Sequence, residues 1–132
     1  MIYTALIQYL KANLSVTRVY GNYAPQDTVL PAVIVDLDAV TVSRHHAQVG
    51  AASGLKSTEF EISVFADTQL AATQLADEIT TLLQNGRATM SDGLSPQTLH
   101  RVADITVNSE ASGFDGSVEH FSHSLFISVT HS

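Results

Sequence analysis

Residues 57–83 read STEFEISVFADTQLAATQLADEITTLL, a strand that runs straight into a helix. In its first half Phe60, Ile62, Val64 and Ala66 point one way and Glu59, Glu61 and Ser63 the other, the period-two pattern of a strand buried on one face. The alternation stops at Ala66. Asp67 or Thr68 then offers a side-chain oxygen to the free N–H groups of a helical first turn. Leu75, Ile79, Leu82 and Leu83, with Ala72 and Ala76, recur at helical spacing and predict a helix to about Gln84, closed by a left-handed stop at Asn85-Gly86. Phe65 interrupts the polar face of the strand, which makes it a candidate contact residue.

Upstream, residues 30–40 read LPAVIVDLDAV, and Ala32 to Val42 is expected as a long strand. Strict alternation puts Val33, Val35, Leu37 and Ala39 on one face and Ile34, Asp36, Asp38 and Val40 on the other. Residues 43–57, SRHHAQVGAASGLKS, have no usable period and read as an extended arm or long hairpin loop; Arg44, His45, His46 and Gln48 are its candidate partner contacts. Near the N-terminus Ile2, Leu6, Tyr9 and Leu10 follow the stripe of a half-buried helix over about Ile2 to Leu14. Val16 to Tyr20 follows as a short strand, and GNYAPQDTVLP as a loop.

Downstream, Arg87 to Pro96 reads as a polar loop. Gln97 to Asn108 and Ser117 to Thr130 form a hairpin around the turn signal GFDG at 113–116, with Phe121, Leu125, Ile127 and Val129 on one face. The sum is a single α+β domain over 1–132, with a mainly antiparallel sheet of four or five strands and two helices packed on one face.

Composition narrows the function. With 45% apolar and 14% charged residues, the 132-residue chain suits a compact globular domain. The absence of cysteine removes disulfides, thiolate metal sites and a cysteine nucleophile. No segment has the length of a membrane span and the N-terminus lacks a basic signal region, so a cytoplasmic product is expected. The net charge of −7, with six scattered basic residues, argues against gripping nucleic acid.

The candidate chemistry is thin. His120 and His123 lie three apart on a strand and so face opposite ways, while the adjacent His45 and His46 have no third ligand at metal-site spacing. Asp36 and Asp38 could in principle hold a cation or work as an acid and base pair, but nothing completes a site. Glu59 and Glu61 repeat the arrangement, and if the two strands pair, the four acids crowd one surface. No GxSxG elbow positions a serine as a nucleophile. The expectation is no catalytic residue, no cofactor and no metal. Outward apolar residues, Ile34, Val40, Phe65, Val118 and Phe126, suggest burial against a neighbouring subunit.

Three segments carry a family resemblance: VYGNYAPQ at 19–26, LPAVIVDLD at 30–38, and EISVFADTQLAATQLADEITTLL at 61–83. Together with the glycine-containing arm they resemble the bacteriophage tail terminators, also called tail completion or tail-to-head joining proteins. The resemblance implies a structural protein of a phage or prophage tail. Its copies would form a six-membered ring that caps the tail tube, ends tube polymerisation and joins the tail to the head connector or stopper. It implies assembly in the host cytoplasm, a final place at the neck end of the virion tail, and no membrane. DNA would pass through the ring without specific binding, with Asp36, Asp38, Glu59 and Glu61 as acidic lumen or interface. A heterologous ring interface would suit an outward sheet edge with Phe65 on one side and a helix face on the other, and Phe126 is a further candidate subunit contact. The alternatives are another head–tail neck or completion protein, a small dimeric α+β ligand-binding module, and a hydrolase using Asp36 and Asp38.

Overall fold

A computed structural model describes residues 2–16, 18–22, 30–42, 56–85, 89–91, 99–115 and 120–131. The expected arm, with Arg44, His45, His46 and Gln48, lies outside them except at its end, where Lys56 and Ser57 already belong to a strand. Val118 and Gly86 also lie outside.

Along the chain the elements are α1 (Ile2–Asn13), β1 (Val19–Gly21), β2 (Ala32–Val42), β3 (Lys56–Ala66), α2 (Gln69–Asn85), β4 (Thr89–Ser91), β5 (Leu99–Asp115) and β6 (His120–His131). The strands lie in the order β1-β2-β3-β6-β5-β4. Only β1–β2 is parallel; every other neighbouring pair is antiparallel. The α+β class and the mainly antiparallel sheet are as expected. Three-residue β4 falls inside the expected polar loop, where Met90 is fully buried. The turn signal is also displaced: Gly113, Phe114 and Asp115 are strand, paired with Ser122, Phe121 and His120.

One face of the four long strands is apolar and carries both helices. Val33, Val35, Phe60, Ile62, Val64, Leu125, Ile127 and Val129 meet Leu6 and Leu10 of α1 and Ala72, Leu75, Ala76, Ile79 and Leu83 of α2 in one buried cluster. Each such large aliphatic or aromatic side chain contributes about 1.5–3 kcal/mol by leaving water. This sheet–helix interior is filled with apolar side chains. Helix α1 touches the short strands β1 and β4, at opposite ends of the strand order.

Local chemistry explains the helix ends. Thr68 is the N-cap of α2, its Oγ1 accepting from the Ala71 N–H at 3.1 Å. Beyond the last turn of α1, the Ser15 N–H and hydroxyl both donate to Glu78 of α2, at 2.8 and 2.9 Å, tying the helices together. At the other end of α1 the Tyr3 hydroxyl donates to the Val35 carbonyl of β2 at 2.8 Å, and its ring stacks on Phe60. Asn22, just past β1, has φ 66°, a left-handed conformation asparagine tolerates better than most residues.

Candidate functional site: the uncovered acidic face of the sheet

The second face of the sheet has no described element on it. Register across β2, β3, β6 and β5 fixes its rows: Asp36, Glu61, Phe126 and Ser109 in one, Ile34, Ser63, Ser124 and Ala111 in the next. Ala32, Phe65, Ser122 and Gly113 form a third, and Glu59, Ser128 and Thr106 lie in a further row. The face is thus mostly serine, threonine and carboxylate, with Ile34, Phe65 and Phe126 half-buried among them. None of its described side chains is cationic; Lys56 has the opposite parity, in register with buried His131.

Short side chains on this face bond to one another. The Ser63 and Ser124 hydroxyls are 3.3 Å apart, Asn108 Nδ2 donates to Ser128 Oγ at 2.7 Å, and the Thr106 hydroxyl donates to Asp104 at 3.4 Å. These contacts tie short polar side chains to one another across neighbouring strands.

Asp36, Glu61 and Glu59 come together as the strand pairing required, Asp36 directly opposite Glu61. Asp38 does not join them by alternation. The register shifts between Leu37 and Ala39, so Asp38 is the extra residue of a bulge. Beyond it the expected faces exchange: Ala39 stands opposite Glu59, and Val40 opposite Thr58 on the helix side. Leu37, expected in the core, is 40% exposed.

Phe65 and Phe126 both lie on the uncovered face, but on β3 and β6, which are internal strands; Phe65 is therefore not at a sheet edge. Asp104 is an acid of this face that alternation hides. A register shift between Val102 and Asp104 re-aims it, where unbroken alternation would have sent it inward with Val102.

On the helix side, His123 Nε2 lies within hydrogen-bond distance of the Glu110 carboxylate, at 2.9 Å, while its Nδ1 is buried with no partner among the described residues. His120 has the opposite parity on the same strand, as its spacing required. Among the described residues, Tyr3 titrates away from its ordinary value. Burial first, and the Asp36 carboxylate second, push its phenol above the ordinary value, against a backbone hydrogen bond at Asn22 that pulls it down. Among the described residues no cluster of histidines and carboxylates could hold a metal ion. No described helix is long and apolar enough to cross a membrane.

A solved chain from a structure titled "Virion of native gene transfer agent (GTA) particle" has the same fold, with a TM-score of 0.65 at 18% identity, over 98% of this chain and 93% of that one. No curated protein matches the sequence. The family profile described as "Tail completion protein gp17" matches residues 4–132, nearly the whole length, and the chain belongs to that family of phage tail structural proteins.

Proposed function

We propose that this chain is the ring-forming terminator of a phage or prophage tail: copies of it, six by the family resemblance, cap the finished tail tube, end its polymerisation and present a surface to the head connector. The observation that carries this is the uncovered sheet face. It has four described carboxylates, Asp36, Glu59, Glu61 and Asp104, short hydroxylated side chains, and no described cation. That surface suits the wall of a channel through which duplex DNA must slide. Carboxylates repel phosphate, and serine-rich walls offer nothing to grip. Six copies at −7 each would carry −42.

Family membership and the virion neighbour support a place in the particle and a structural, non-catalytic role. The filled sheet–helix interior disfavours a module that holds a small molecule there. His45, His46, Arg44 and Gln48 remain proposed contacts to the tube or connector.

The test is a polymerisation assay with the tail-tube protein of the same locus. Adding this chain should stop elongation and leave a ring of extra density at one tube end by electron microscopy. Tubes that grow to the same lengths, with bare ends, would reject the terminator reading and favour another neck component.

A further inference from the structure

The two edges of the four-stranded wall are free over different stretches, and the difference has a geometric meaning. Among the described residues, strand β1 pairs with β2 only at Val33–Val35, with no strand beside 36–42 on that side, and β4 pairs with β5 only at Leu99–Arg101, with no strand beside the end of β5 at 109–115. A free edge presents a row of unsatisfied N–H and C=O groups, a ready template for another strand. Strands β2, β3, β6 and β5 alternate in direction, so β5 of one copy beside β2 of the next continues the antiparallel order without a break.

We infer that neighbouring copies in the ring join by antiparallel pairing of the free part of β2 with the free end of β5, in the register that sets Leu37 opposite Phe114 of the next copy. This rests on the proposed ring.

Two independent features select that register. Leu37 and Phe114 are two of the three exposed large apolar residues described, at 40% and 57%, and each lies on one of the free stretches, on the helix side. Within one copy Leu37 is in row with Ile127 of β6, and Phe114 with Phe121, so the pairing displaces one copy along its neighbour by the six residues from Ile127 to Phe121. At about 3.3 Å per residue over four strands about 4.8 Å apart, this displacement tilts the strands by roughly 45°, the upper part of the range closed barrels use. A slip of one residue would turn each edge residue to the wrong face. A slip of two keeps the faces but separates Leu37 from Phe114. Six copies joined this way close at a backbone diameter of about 50 Å, with the acidic face inward.

The chain has no cysteine, so paired substitutions report this contact cleanly. In the inferred register Thr41 stands opposite Ala111 of the next copy, whereas the two-residue slip puts Ala39 there. Within one copy each pair is separated by two intervening strands, too far for a disulfide to span. Thr41→Cys/Ala111→Cys rings, assembled on tube ends and mildly oxidised, should give a ladder of covalent multimers, and Ala39→Cys/Ala111→Cys rings should not. Phe114→Ser should keep the helical circular dichroism of the parent, lower its melting temperature only slightly through the lost ring contact with Phe121, and weaken ring assembly at least tenfold. Rings that form but cross-link through neither pair would overturn the edge pairing and leave the ring itself standing. Cross-linking through Ala39 alone would overturn the register. Failure of the parent chain to form rings on tube ends would remove both this inference and the reading beneath it.

Discussion

At the scale of single residues the most constrained position is Gly21. A Cβ there would overlap the Tyr3 hydroxyl and press on Ile7, so glycine is what lets α1 dock on the β1–β2 junction. Gly21→Ala should therefore destabilise by about 1–3 kcal/mol in urea denaturation, the usual cost of overpacking, where an unconstrained glycine in a strand would gain from alanine. Tyr3 makes a second prediction. Its folded-state pKa is raised above the unfolded value near 10, so the stability it contributes is fully present below that pH and is lost as pH rises through the folded value. Denaturation midpoints should fall in that alkaline window, and Tyr3→Phe should remove this part of the fall at the cost of its hydrogen bond to Val35, about 1 kcal/mol at neutral pH.

The same scale shows why part of the VYGNYAPQ segment is informative as bare sequence. Val19 is core, Gly21 gives way to Tyr3, and Asn22 takes the left-handed turn. Each is a demand of backbone or packing that one residue type answers. Alternation misplaces Asp104, and overlooks the register shift at Asp38, for the opposite reason. A bulge is set by pairing with the neighbouring strand, and nothing in the local pattern of AVIVDLDAV or RVADITV announces the extra residue.

At the scale of elements, the legible ones are those with a strong period and a chemical boundary. Strand β3 and helix α2 follow the pattern of 57–83 closely, because alternation, cap and apolar stripe all agree. Thr68→Ala should cost about 1 kcal/mol of stability by chemical denaturation, as the lost cap leaves an N–H of the first turn without its side-chain acceptor. An unchanged midpoint would mean that Asp67 can replace it. Strand β4 escapes a sequence reading because three residues are too few to show a period. Strand β5 runs longer than its pattern suggests because Gly113 and Asp115 look like a turn; their ladder with Ser122 and His120, and the Phe114–Phe121 ring contact at 4.6 Å, override that local preference. The free edges are not legible in the sequence at all, since an edge is defined by what fails to pair.

At the scale of the whole molecule the division of labour is between two faces of one sheet. The helix side holds the fold together; the other side carries like charges, and no described element packs on it. Reversing two of them, Glu59→Lys with Glu61→Lys, moves each chain by four units of charge from −7. In a ring this should convert indifference to duplex DNA into binding that weakens steeply with salt, measured by filter retention from about 50 to 200 mM. Retention unchanged at every salt concentration would place this face away from the DNA path.

Ring formation on the tube is the claim on which the rest depends, and sedimentation velocity tests it most directly. The chain would be run over a wide concentration range, alone and with tail-tube protein from the same locus. A hexamer, or a six-fold species appearing only with tube ends, is the expected result. A stable dimer indifferent to tube protein would contradict it and favour another neck component of the same tail family.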